Sequence, residues 1–233
     1  MAVTEAWTLS AVTVGATEVS VTAGGTTLQT QTTAGAYQLF VDPVTNMAKA
    51  DEFRVRLYEK VLSGGTQRVC GEWSLLGTQN ENMVTPTFLL RNGFDWGILK
   101  LAGTDRAFSA SVRKAAGATF SEAWTLSAVT VGATEVSVTA GGTTLQAQTS
   151  AGAYQLFVDP VTNMAKADNY RLRCYEKVLS GGVQRILWES ELLGAQSDNF
   201  VSPVLNLMNG FDWGIKKIAG TDRAFSASVR KIA

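Results

Sequence analysis

The feature that most constrains this chain is an internal repeat. Residues Glu5–Ala116 align without a gap on Glu122–Ala233 at a constant offset of 117, and 88 of the 112 aligned positions are identical. A unit of this length is too long for a solenoid repeat but has the size of one compact domain. We therefore expect two copies of one domain in tandem: residues 1–116, a short linker at residues 117–121, and residues 122–233.

The composition limits the chemistry that the chain can perform. Lys and Arg together number 20, as do Asp and Glu, so the formal net charge is zero and the basic field typical of nucleic-acid-binding proteins is missing. The sequence contains no histidine, which is the commonest general base near neutral pH and the commonest metal ligand. We therefore expect no nucleic-acid partner, no cofactor, no bound metal and no enzymatic activity.

The two cysteines do not follow the repeat. Cys70 corresponds to Leu187, and Cys174 corresponds to Leu57. A disulfide framework would recur with the domain, whereas a residue that exchanges with leucine behaves as a small apolar core filler. We expect free cysteines and assembly in a reducing compartment.

Neither the N-terminus nor the apolar runs indicate a membrane protein. The first ten residues, MAVTEAWTLS, lack the basic start and apolar stretch of a signal peptide. No apolar run approaches the roughly 20 residues that span a bilayer. The sequence predicts a soluble protein with no membrane partner.

Alternation of apolar and polar residues with period two predicts β-strands. The clearest example is Phe53–Leu62, in which Phe53, Val55 and Leu57 share one face. About eight such strands are expected in each copy, with turn residues every 8–12 positions. Because parallel strands need intervening helices for which there is no room, the predicted fold is all-β: two tandem antiparallel β-sandwich (or small-barrel) domains.

Three further strand predictions depend on weaker patterns. Trp7, Leu9 and Ala11 are expected on one face of the first strand. Thr27–Thr32 is expected to continue the sheet as a further strand. Val84–Leu90 contains Pro86, which cannot donate to a strand ladder and therefore indicates an edge position or a bulge.

The two copies differ mainly in one region. Of the 24 differences, 21 lie between Glu52 and Leu101 and their counterparts. Gly71 and Trp73 correspond to Trp188 and Ser190, so an indole has moved by one step along a strand face. Two interpretations remain open: the core is repacked at constant volume, or this face meets different neighbours in the two copies.

Two groups of residues could carry chemistry. The carboxylates of Asp95 and Asp105, repeated as Asp212 and Asp222, could form acid–base pairs, although their settings favour structural turns. Phe94 and Trp96 could form a sugar-stacking platform or a buried aromatic corner. Together with the exchanged positions, they give a candidate contact face. This face comprises Gly71, Trp73, Trp188, Ser190, Phe94, Trp96, Phe211 and Trp213.

Three segments carry a resemblance to a known class of proteins. They are Phe53–Arg68, Gly93–Gly97 and Ala102–Lys114, repeated at Tyr170–Arg185, Gly210–Gly214 and Ala219–Lys231. They resemble small virion proteins of tailed bacteriophages that are found among the head genes. Those proteins are usually single-domain, so the duplication departs from their pattern. No catalytic residues accompany the resemblance.

The resemblance implies a function and a location. It implies a non-enzymatic virion structural protein, either a head decoration (cement) protein or another capsid-associated component, that is assembled in the host bacterial cytoplasm. The expected partners are the major capsid protein or other virion proteins, and a homo-oligomer is possible. Two alternatives stay open: a carbohydrate-binding or host-recognition module, and a tail or connector component.

Overall fold

The computed structural model describes residues 3–44, 46–115, 120–177, 179 and 181–232, and all regular elements in those ranges are β-strands. The chain divides into two compact units, Met1–Thr119 and Phe120–Ala233. Part of the predicted linker, residues 117–119, lies outside the described residues. The prediction is wrong for Phe120 and Ser121, because these residues begin a strand and pair with Ile232 and Lys231. None of the described segments forms a helix that could span a membrane.

The first unit contains nine strands in two antiparallel sheets. They are β1 (Val3–Val14), β2 (Val19–Ser20), β3 (Gly35–Asp42), β4 (Glu52–Glu59), β5 (Arg68–Leu76), β6 (Met83–Val84), β7 (Phe88–Leu90), β8 (Asp95–Ala102) and β9 (Arg106–Ala115). The five-stranded sheet has the order β1-β9-β3-β6, with β7 also paired to β3. The four-stranded sheet has the order β2-β8-β4-β5. The chain passes repeatedly from one sheet to the other, as in a sandwich.

The second unit repeats this arrangement. Its strands are β10 (Phe120–Val131), β11 (Val136–Ser137), β12 (Gly152–Asp159), β13 (Asn169–Glu176), β14 (Arg185–Leu193), β15 (Phe200–Val201), β16 (Leu205–Leu207), β17 (Asp212–Ala219) and β18 (Arg223–Ile232). The sheets have the orders β10-β18-β12-β15, with β16 paired to β12, and β11-β17-β13-β14. The predicted all-β antiparallel sandwich is therefore confirmed.

Each unit buries its own core between its two sheets. In the first unit Phe53 of β4 meets Phe108 of β9, with ring centroids 4.7 Å apart. Tyr170 and Phe225 make the same contact in the second unit, also at 4.7 Å. These rings are fully buried, and burial of such side chains from water is the main driving force for folding.

The strongest alternation in the sequence is found in β4. Phe53, Val55 and Leu57 are fully buried, while Arg54 and Arg56 on the opposite face are half-buried. The pattern is kept in β13, where the apolar face changes size but stays buried. Strict period-two patterning thus gave the correct inward face.

The alternation predicted for the first strand is wrong at Ala11. The register of β1 against β9 shifts between Leu9 and Val12, which marks a β-bulge. Ala11 has a φ of 48° and is exposed, whereas Leu9 and Val14 are buried. A bulge inserts an extra residue and moves the inward phase by one position, so Ala11 leaves the face that it would share with Leu9.

Two other predicted strands differ from the expectation: one is absent and the other is divided in two. Within Thr27–Thr32, only Gln31 forms a bridge, to Phe94, and the segment is not a strand. The stretch Val84–Leu90 is broken at Pro86 into β6 and β7, and both pair with β3 at the edge of the sheet. The edge position inferred from the proline is therefore correct.

Candidate functional site

The aromatic residues of the candidate contact face lie inside the two units. Phe94 and Trp96 are fully buried, as are Phe211 and Trp213. Phe94 packs against Tyr37, with ring centroids 5.0 Å apart. These four residues therefore do not form an exposed contact face or a sugar-stacking platform, and the alternative interpretation, a buried aromatic corner, is correct. β8 and β17 begin at Asp95 and Asp212 and carry the indoles of Trp96 and Trp213 into the core.

The two exchanged tryptophans lie against the same core position. Trp73 is 5.8 Å from Trp96, and Trp188 is 5.8 Å from Trp213, measured between ring centroids. Both Trp73 and Trp188 are half-buried on the sheet edges formed by β5 and β14. The indole therefore stands at a different strand position in each unit, yet in both units it packs against the core tryptophan.

The residues opposite the exchanged pair on the neighbouring strand compensate for the change in volume. Gly71 lies opposite Leu57, whereas Trp188 lies opposite the smaller Cys174. Trp73 lies opposite Val55, whereas its counterpart Ser190 lies opposite the larger Leu172. Swaps that keep total volume are the ones that a core tolerates best. This geometry favours repacking of the sandwich edge over a surface specialised for binding.

The candidate acid–base carboxylates are held in structural contacts. Asp95 is fully buried and accepts hydrogen bonds from the hydroxyl of Thr22 (2.8 Å), the backbone N–H of Gln29 (2.7 Å) and the backbone N–H of Trp96 (2.7 Å). Asp105 is exposed and forms an ion pair with Lys100. The second unit repeats both arrangements with Asp212 and Asp222. The carboxylate of Asp95 is therefore fully engaged in holding the turns around β8.

A third carboxylate, which the sequence did not single out, fixes two loops. Asp51 accepts hydrogen bonds from the backbone N–H groups of Thr104 (3.0 Å) and Ala48 (2.7 Å), and from Nε of Arg106 (2.7 Å). These donors stabilise the ionised carboxylate and lower its pKa from 3.8 to about 2, with the Thr104 hydrogen bond the largest cause. Asp168 makes the same contacts in the second unit, and its pKa is also lowered.

Neither cysteine nor metal chemistry is indicated. Cys70 and Cys174 are buried and form no disulfide, and burial raises the pKa of the Cys174 thiol. A thiol in such a setting is a poor nucleophile. Within the described ranges, no group of three or more Cys, Asp and Glu side chains could hold a metal ion.

A polar groove lies on the outer face of the five-stranded sheet of the first unit. Its main part has a volume of about 430 Å³. Most of the polar side chains that line it are short, and they include both acidic and basic groups. The polar residues are Glu5, Thr8, Ser10, Asp42, Asn82, Ser109, Ser111 and Arg113. The aromatic ring of Phe40 also lines the groove. We call this surface, together with the cavity described next, the outer groove.

A second cavity extends the groove across the sheet. It has a volume of about 300 Å³ and shares Phe40 and Arg113 with the first. The guanidinium carbon of Arg113 lies 3.9 Å from the centroid of the Phe40 ring, a cation–π contact. The Phe40–Arg113 pair therefore forms a common wall of both cavities.

Some polar groups in the outer groove already have partners within the unit and others do not. The hydroxyl of Ser111 donates to Glu5 (2.7 Å), and the hydroxyl of Ser109 accepts from the backbone N–H of Ala11 (3.2 Å). In the part of the chain that the structure describes, Arg113 and Asn82 make no ion pair or side-chain hydrogen bond. By contrast, Arg56 on the other sheet is paired with Glu72 (2.9 Å).

Sequence reasoning missed the outer groove because its residues are far apart in the chain. Glu5, Phe40, Asn82 and Arg113 follow no motif and meet only through the sheet order. One signal was available. Phe40 stands in the polar phase of β3, between Gln38 and Asp42, where an outward-facing aromatic residue is unexpected.

No protein-family model matches the sequence. No curated protein matches it either. Among solved structures, the exported protein XepA of PBSX aligns over 100% of this chain and 86% of its own length, at 13% identity and a TM-score of 0.35.

Two other structural similarities are of the same order. PNGase F, a glycosylasparaginase from Flavobacterium meningosepticum, aligns over 100% of this chain and 96% of its own, at 11% identity and a TM-score of 0.41. The tandem CBM22 domains of Paenibacillus barcinonensis Xyn10C align over 92% and 82%, at 9% identity and a TM-score of 0.26. Structural similarities at this level do not indicate a function.

Proposed function

We propose that this chain is a non-enzymatic structural component of a bacteriophage particle, which binds the capsid surface and reinforces it. The observation that carries the proposal is the duplication itself. Two near-identical sandwich units, each with its own core, stand in one chain. Such a chain can make the same contact twice on a lattice that repeats.

The short connection between the units makes a double contact effective. β9 ends at Ala115 and β10 begins at Phe120. When two binding modules are joined by few residues, the second contact forms at a high effective concentration, and the overall affinity exceeds that of either contact alone. A weak contact with one capsid subunit is thereby converted into stable attachment.

The polar chemistry of the units supports a contact role rather than catalysis. The buried carboxylates of Asp95 and Asp51 have their oxygen atoms occupied by donors of the same unit. The resemblance of the segments Phe53–Arg68, Gly93–Gly97 and Ala102–Lys114 to phage head proteins supports the particle as the location. The proposed partner is the major capsid protein, after assembly in the host cytoplasm.

Co-sedimentation with capsids tests the proposal. Purified chain is added to particles that lack it, and the particles are pelleted and quantified. We expect bound protein to rise with concentration and to reach a plateau at a fixed ratio to capsid subunits. Failure to sediment with heads, or binding to isolated tails instead, would contradict a capsid role.

A further inference from the structure

We propose that the outer groove of the first unit binds a neutral oligosaccharide. This inference does not depend on attachment to a capsid. It concerns the first unit, in which Phe40 and Arg113 line both cavities.

The size of the outer groove fits a ligand of several sugar rings. Its two parts measure about 430 Å³ and about 300 Å³ and meet at the Phe40–Arg113 pair. Small-ligand sites in proteins occupy roughly 300–1,000 Å³. An elongated ligand can therefore cross the stacked pair and fill both parts.

The position of the outer groove in the sheet disfavours a peptide. β9 lies between β1 and β3, and β3 lies between β9 and the strands β6 and β7. The backbone groups of β3 and β9 are therefore used in ladders on both sides. An extended peptide gains affinity from backbone hydrogen bonds at a free sheet edge, whereas this face offers side chains only.

The charge of the outer groove disfavours an anion. Glu5 and Asp42 contribute two carboxylates, and Arg113 contributes one guanidinium. A phosphate or an acidic sugar would meet a site with excess negative charge, and like charges in proximity are unfavourable. The remaining polar lining consists of hydroxyl and amide groups, which suit a ligand that carries no net charge.

The hydrogen-bonding groups match neighbouring hydroxyls on a sugar ring. The guanidinium of Arg113 is planar and offers several N–H donors, and it lies against the Phe40 ring in the wall of both cavities. The amide of Asn82 is exposed and can both donate and accept. The part of the half-buried Phe40 ring that Arg113 does not cover supplies apolar surface for C–H groups of a sugar.

Binding of glycans to the full-length chain tests this inference. The probes are maltohexaose, cellohexaose, laminarihexaose and mannohexaose, together with a printed array of neutral polysaccharide fragments. A heparin-derived hexasaccharide serves as the anionic comparison. We expect saturable binding to at least one neutral glycan by isothermal titration calorimetry, and weaker binding of the anionic one.

Three variants locate the site. Asn82→Ala and Arg113→Lys should each weaken binding by roughly tenfold, the effect of losing one or two hydrogen bonds. Asn80→Ala removes an exposed amide two residues away and should leave the affinity unchanged. The thermal midpoints of all three variants should match that of the parent chain, which separates a loss of ligand contacts from a loss of folding.

Several results would overturn the inference. These are the absence of saturable binding to every neutral glycan, tighter binding of the heparin fragment, and unchanged glycan affinity in Asn82→Ala and Arg113→Lys. If these two variants lose capsid co-sedimentation while no glycan binds the parent chain, the outer groove is a protein contact face. If glycans bind as expected while capsids do not, the inference holds and the proposed capsid role fails.

Discussion

A Cβ atom at Gly71 would lie 2.6 Å from Cη2 of Trp73, so the indole of Trp73 occupies the space that a side chain at position 71 needs. In the second unit the indole belongs to Trp188, and the small residue is Ser190. Beside the core tryptophan, Trp96 or Trp213, the sandwich edge therefore holds one further indole, which the sequence supplies from either of two positions.

The first prediction concerns this shared space. Gly71→Trp alone should destabilise the first unit by about 1–3 kcal/mol through overpacking. Adding Trp73→Ser should recover part of that loss, with a coupling free energy of at least about 0.5 kcal/mol. Hydrogen exchange of peptides from Glu52–Leu101 measures the effect, because this region differs between the copies and can be assigned to one unit. Strictly additive effects would show that the two positions do not share a space.

The second prediction concerns acid stability. The pKa of Asp51 is lowered in the folded state, so its ionised form stabilises the unit above pH ~4, and this contribution is lost as the pH falls from about 4 towards 2. Asp51→Asn should therefore lower the urea midpoint at pH 7, and the difference from the parent chain should shrink at pH 3. A difference that is independent of pH would mean that the charge of Asp51 contributes nothing.

The third prediction concerns a glycine that lies against this carboxylate. Gly103 has a φ of 86°, and a Cβ atom there would collide with Asp51. Gly103→Ala should destabilise the first unit by about 2 kcal/mol or more, from backbone strain and the collision together. Gly25→Ala is the matched control, because a Cβ atom at Gly25 meets no atom within 4 Å. Equal effects of the two variants would contradict the described loop.

The fourth prediction concerns thiol reactivity. Cys174 is fully buried and its pKa is raised by burial, so a thiol reagent such as dithionitrobenzoate should modify it slowly in the folded chain, even near pH 9. Both Cys70 and Cys174 should react at once in denaturant. The extent of modification is measured by mass spectrometry of the intact protein. Rapid modification of Cys174 in the folded chain would show that the core of the second unit is accessible to the reagent.

The fifth prediction concerns the duplication. Val55→Asp places a charge in the core of the first unit, and Leu172→Asp does the same in the second. Because each unit has its own core, each variant should unfold one unit and keep the other. Capsid binding should then weaken by roughly 100-fold or more in either variant, as a double contact becomes a single one. Unchanged binding in one variant would mean that only the other unit attaches.

The sequence predicted the strands wherever side-chain alternation was strict, as in β4, where Phe53, Val55 and Leu57 are buried. It failed at Ala11, because a bulge is set by the pairing of β1 with β9 and leaves no mark in the alternation. For Trp96 it left two interpretations open, since an aromatic residue in the segment Gly93–Gly97 can lie in an exposed turn or in a buried strand, and the structure shows the buried one. The outer groove could not be found this way, because Phe40 and Arg113 meet only through the order of the strands.

Electron cryomicroscopy of the native particle tests the central claim most directly. The account predicts density for paired β-sandwich units on the capsid surface, into which the folds of Met1–Thr119 and Phe120–Ala233 fit, and which is absent from particles assembled without the chain. Identical capsid density with and without the chain, or the paired units found only in the tail, would contradict it.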